Sequence, residues 1–124
     1  MATNPINSIS IPVGTLAGTL NTPLWRVPKS TSAFGGITLT GAYIVSSGGT
    51  LTSEMQLLSG TVMGTAFTGT IGTCNATLAA SVPKAFTIST AYVSSGSWIH
   101  LKLNAGQGAL TAATNVTLEY VWGK

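Results

Sequence analysis

Apolar and polar residues alternate along 98–104, where Ile99, Leu101 and Leu103 take turns with Trp98, His100 and Lys102. The pattern returns at 115–122, with Val116, Leu118, Tyr120 and Trp122 set against Thr117, Glu119 and Val121. A repeat of two residues marks a strand that buries one face. Residues 36–46, GITLTGAYIVS, follow the same rule: Ile37, Leu39, Tyr43 and Val45 fall on one face, and Thr38, Thr40, Ala42 and Ile44 on the other. No segment offers a helical period of comparable length. The fold expected is all-β.

The remaining strands are read between turn signals. Residues 24–29 form a short strand demoted to an edge by Pro28, and Ser46-Ser47-Gly48-Gly49-Thr50 makes a turn. Residues 52–58 send Met55 and Leu57 inward and Glu54 and Gln56 outward. Two strands are expected over 61–70 and 71–80, and one over 85–93, which alternates Phe86, Ile88, Thr90 and Tyr92 against its other residues. The segment 105–114, with Gly106 and Gly108, reads as a long loop. About eight short antiparallel strands at regular spacing suit a single jelly-roll-like β-sandwich. Residues 1–20, punctuated by Pro5 and Pro12, are expected to form an extended N-terminal arm or edge strand, and residues 21–124 the sandwich. Arms too apolar-poor to fold alone order against a partner, so Pro5, Ile6, Ile9, Ile11 and Pro12 are candidate partner contacts.

Composition sharpens the functional side. Charged residues make up 6% of the chain, and 20 Thr and 13 Ser must supply the polar surface in their place. The only acids are Glu54 and Glu119, Asp is absent, and His100 is the only imidazole. Paired-carboxylate hydrolysis and most metal sites need more such groups than this. A catalytic role for His100 would require Glu119 beside it to orient the ring. The expectation is a protein that is not an enzyme and holds no cofactor or metal.

The net charge of +3 comes from Arg26, Lys29, Lys84, Lys102 and Lys124, scattered along the chain. Nucleic-acid binders cluster such residues, so no nucleic acid is expected as a partner. Cys74 stands alone, which excludes an intrachain disulfide and reads as a half-buried apolar residue. Glycines and threonines interrupt the uncharged stretch between Glu54 and Lys84, leaving no apolar run long enough for a membrane span. The start, Met1-Ala2-Thr3-Asn4-Pro5, lacks the features of a secretory signal. Synthesis in a cytoplasm, with no membrane association, is the expectation.

Three tryptophans remain to be placed. Trp122 shares a face with core candidates, whereas Trp98 shares one with His100 and Lys102. Trp98 and His100 are therefore the candidate surface contact, because an exposed Trp anchors protein interfaces or stacks on a sugar ring. A sandwich coated with Thr and Ser has few charges to guard its edges, and cover by other subunits would protect it.

Gly96-Ser97-Trp98-Ile99-His100-Leu101-Lys102-Leu103-Asn104, followed by a glycine-rich turn and then 115–123, resembles the closing strands of small jelly-roll proteins of tailed-phage virions. Residues 36–45 are similar to their early core strand, and the resemblance extends over most of the chain from about residue 34. It implies a capsid decoration, or cement, protein on the exterior of the virion, a homo-oligomer of the trimeric kind that clamps neighbouring subunits of the major capsid protein. Jelly rolls also serve in tails and fibres, so the alternative is a module that binds host-surface carbohydrate through Trp98.

Overall fold

The computed structural model describes residues 6–13, 16–17, 20–28, 35–46, 50–63, 65–78, 82–110 and 114–123. Within these, 16–17, 20–21, 50–54, 65–68, 75–78 and 104–110 are described by backbone and register alone. Eleven strands form: β1 (Asn7–Pro12), β2 (Leu16–Ala17), β3 (Leu20–Arg26), β4 (Gly36–Ser46), β5 (Thr50–Val62), β6 (Thr65–Leu78), β7 (Lys84–Ala85), β8 (Thr87–Ile88), β9 (Tyr92–Ser94), β10 (Trp98–Leu110) and β11 (Thr114–Trp122). They build two antiparallel sheets. The first runs β1-β11-β4-β7 with β9 also on β4, and the second runs β2-β10-β5-β6-β8 with β3 also on β10. The chain is an all-β sandwich.

Alternation explains the core. Val116 and Leu118 of β11 and Ile37, Leu39 and Ile44 of β4 face Met55 and Leu57 of β5 and Ile99, Leu101 and Leu103 of β10, all buried. Each buried aliphatic side chain of this size contributes about 1.5–3 kcal/mol of transfer free energy, so these two facing rows dominate the stabilisation. Tyr120 links the rows to the open side of the sandwich. Its ring lies 5.2 Å from that of Trp25 and 5.8 Å from that of Trp122, in tilted and edge-on geometry, as aromatic quadrupoles prefer.

Four elements depart from the sequence expectation. β4 does not keep one phase along its length. Tyr120 pairs with Leu39 but Glu119 pairs with Gly41, a bulge that leaves Thr40 over. Beyond it Ala42 and Ile44 turn inward, and Tyr43 and Val45 face out, the reverse of a strict two-residue count. Gly41 sits at this bulge, and a Cβ built on it would stand 2.9 Å from Glu119 Oε1 and 3.2 Å from Tyr43 Oη, the ends of side chains that can give way.

The two strands expected over 61–80 are one, β6, joined to β5 by a tight hairpin and accommodated by register shifts at Leu57/Leu58 and Ser59/Gly60. The expected loop over 105–114 is strand as far as Leu110, with a shift between Asn104 and Gln107 taking up Gly106, and Thr114 opens β11. The strand expected over 85–93 breaks into β7, β8 and β9, which visit the two sheets in turn. Phe86 and Val93 fill the side between the sheets. The backbone stays satisfied through the crossing: Phe86 N–H donates to Ala42 O at 2.8 Å, Ser89 N–H to Ile71 O at 2.8 Å, and Leu39 N–H to Ala91 O at 2.9 Å.

Candidate functional surfaces

The segment read as an arm belongs to both sheets. β1 pairs with β11 over six residues, from Asn7 opposite Tyr120 to Pro12 opposite Asn115. β2 and the start of β3 pair with β10 in the other sheet. Ile9 lies opposite Leu118 and Ile11 opposite Val116, so both point toward the core and are half-buried against it. The partner role expected of Ile9 and Ile11 therefore does not fit their orientation. What β1 offers outward is Ser8, Ser10 and Pro12, with the Ser10 hydroxyl 2.9 Å from that of Thr117. Ile6 is 65% exposed just before the strand, and Pro5 lies outside the described residues.

The outer face of the first sheet continues from Ser8 and Ser10 across Thr117 and Glu119 of β11 to Tyr43 and Val45 of β4. Tyr43 is 40% exposed. Among the described residues on this face, Glu119 is the one charged side chain. The other described side chains there are Ser, Thr, Val, Tyr, Pro12 and Asn115.

The outer face of the second sheet holds Trp98, His100 and Lys102 in the alternation expected of β10. Trp98 and Lys102 are half-buried. His100 is fully buried, which corrects its place as a surface contact. The reason is its position on a central strand: register sets it between Pro23 of β3 and Leu58 of β5, and Leu58 in turn opposite Thr70 of β6. Leu58 is itself buried although it faces away from the core. Burial lowers the His100 pKa below 6.5, and a hydrogen bond with the Leu58 backbone opposes that shift.

Register also decides whether His100 has a carboxylate to work with. β10 lies in the second sheet and β11 in the first, and His100 and Glu119 both face away from the core. They stand on opposite faces of the sandwich, with two layers of side chains between them. The His-Glu pairing that a catalytic use of His100 would require is not formed.

Trp98 retains a polar neighbour. It pairs with Arg26, whose Nε donates to Gly96 O at 3.2 Å. Burial pushes the Cys74 thiol pKa up, with the Lys84 charge pulling against it, as for a cysteine used as a core side chain. Gly35 lies just before β4, which Gly36 opens opposite Ser94, and Gly35 O accepts from Ser95 N–H and Tyr92 Oη, both at 2.8 Å. No helix among the described residues is long and apolar enough to cross a membrane, and no group of three His, Cys, Asp or Glu gathers there.

Sequence reasoning missed the Trp25-Tyr120-Trp122 contact. Its signal was Trp25 two residues after Pro23 on a strand with no clean alternation. Comparison with known proteins found no matching family model, no matching curated protein and no matching solved structure.

Proposed function

We propose that this chain is a structural virion protein, a capsid decoration protein that binds the outer capsid surface and ties neighbouring coat subunits together as a homo-oligomer. The observation that carries the proposal is the outer face of the first sheet, where three strands present hydroxyls, Val45 and Tyr43 around a single charge, Glu119. Such a face is poor in charge and carries an exposed tyrosine, two features of the centre of a protein interface. The strand order adds support. One sheet holds β1, β11, β4 and β9 and the other β3, β10, β5 and β6, with the chain changing sheet at most connections, an order compatible with the Greek keys of a jelly roll. The separation of His100 from Glu119 favours a non-enzymatic role over a hydrolytic one.

The test is binding to expanded capsids that lack the protein. The full chain should bind saturably in fixed proportion to coat subunits, and Tyr43→Lys should weaken binding while the sandwich keeps its melting temperature. No binding, or binding untouched by Tyr43→Lys and by Thr117→Lys, overturns the proposal. A few copies per particle at a single vertex would instead favour a tail or fibre module.

A further inference from the structure

An edge strand leaves one row of backbone donors and acceptors without a ladder, and proteins guard such rows with proline, charge or brevity. The sandwich has four edges. β1 is six residues long and ends in Pro12. The β2–β3 side carries Pro23 and Arg26 within β3. The β7 and β9 side consists of pieces two and three residues long.

The fourth edge, β6, is different. It runs for 14 residues, TAFTGTIGTCNATL, without a proline or a charged side chain. β8 pairs with it at Gly72 and Thr73, and Ile71 O accepts from Ser89 and Thr90. Among the described residues no strand pairs with the outer side of residues 65–70. The protection this stretch carries is the twist from two register shifts against β5. At the turn leading into it, Val62 and Met63 are 54% and 56% exposed.

We propose that residues 65–70 form a strand-pairing edge, occupied by the same stretch of a second copy running antiparallel across a two-fold axis. Self-pairing sets a strand opposite itself, which like charges would forbid and this uncharged stretch permits. The two-fold arrangement is closed, so it uses up both open edges and leaves none to propagate. It also brings each apolar Val62-Met63 turn up to the other copy's β8, where that strand covers Gly72 and Thr73. An unrelated extended peptide would need side-chain pockets along the edge for its specificity, and the described neighbours, Gly69 and Thr70, are small. The pairing does not depend on the virion proposal: a chain that dimerises through β6 and never binds a capsid would keep one and lose the other.

Gly69→Lys is the direct test. A Cβ at Gly69 meets Ser59 Oγ at 3.8 Å, an ordinary contact, so the fold has room for the side chain. Sedimentation or light scattering should give the wild type twice the 12.6 kDa chain mass, and Gly69→Lys and Thr70→Lys the mass of one chain with unchanged circular dichroism. Hydrogen exchange on the wild type covers the case of variants that do not fold: amides in 65–70 should be protected at high protein concentration and lose that protection on dilution. A monomeric wild type, an oligomer indifferent to both lysines, or exchange in 65–70 that does not respond to concentration would each overturn the proposal.

Discussion

Replacing both Ile9 and Ile11 with Ala tests whether the N-terminal segment is part of the sandwich or a free arm. Both side chains point inward from β1, opposite Leu118 and Val116, and are half-buried against the core. Truncating a fully buried Ile to Ala costs about 2–5 kcal/mol, so half-burial at an edge scales this to about 1–2 kcal/mol each. Added together, the two substitutions are worth about 2–4 kcal/mol, and as neighbours on one face two positions apart they shift that sum by their coupling. For a domain of this size each kcal/mol moves the melting temperature by about 3–5 °C, giving a fall of about 6–20 °C. Calorimetry or a urea titration measures it directly. The controls lie on the same segment: Ile6→Ala, 65% exposed, and Ser10→Ala should each stay within about 0.5 kcal/mol. A double variant as stable as the controls would refute the packing of β1 and restore the free arm. The same result bears on capsid assays, since deleting residues 1–20 would remove β1 and β2 and perturb the fold along with any contact.

His100 should make stability depend on pH. Its folded pKa lies below 6.5, so the unfolded chain takes up the proton first as pH falls; stability is complete above pH 6.5 and declines below it until the folded pKa is passed, by about 1.4 kcal/mol per pH unit at the steepest. Melting curves between pH 7.5 and 5 should show the decline and lose most of it in His100→Gln; an unchanged slope would show that another group carries it. Two glycines should respond in opposite ways to Ala. At Gly72 the new Cβ would stand 2.6 Å from the Thr87 carbonyl oxygen and 3.3 Å from Ile88 Cα, backbone atoms that can give way only by loosening β8, at about 1–3 kcal/mol. At Gly41 it would meet the mobile ends of Glu119 and Tyr43, so Gly41→Ala should cost under about 1 kcal/mol, and denaturant midpoints that reverse this order would contradict the bulge geometry.

The sequence displays its central strands clearly because each buries one face. Ile99, Leu101, Leu103, Val116 and Leu118 are placed correctly by alternation alone. Alternation fails where backbone geometry changes its phase. In β4 the signal was present: Gly41 sits in mid-strand, where glycine marks a bulge, and the faces exchange beyond it. Over 85–93 the alternation is real but serves two sheets in turn, which no single-strand pattern distinguishes from one strand. Alternation puts His100 on the outward side of β10 but does not reveal that it is buried there. Burial of an outward residue depends on what register sets beside it, here Pro23 and Leu58, and those are distant in sequence. The same holds for the proposed pairing edge. Its missing charges are visible in the sequence, but that residues 65–70 lie at a sheet edge follows only from the strand pairing.

Five cations and two acids in 124 residues cannot set the register of eleven strands through cross-strand charge pairs. Thr-rich strands also specify register weakly, because a slip exchanges one small polar residue for another. The structure supplies the missing specification as irregularity. The ladder shifts at Ile99/His100 between β10 and β3, at Asn104/Gln107 between β10 and β5, at Glu119/Tyr120 between β11 and β4, and twice between β5 and β6. A strand that slipped past any of these would misplace a bulge as well as a side chain, so the bulges add to the register that the buried aliphatic faces already favour. Bulges act between strands already paired and give no protection to the outside of an edge. A charge-poor sandwich can therefore be unique within and unguarded at its boundary, and β6, with two bulges on one side and, among the described residues, no strand paired outside 65–70 on the other, shows both conditions in one strand.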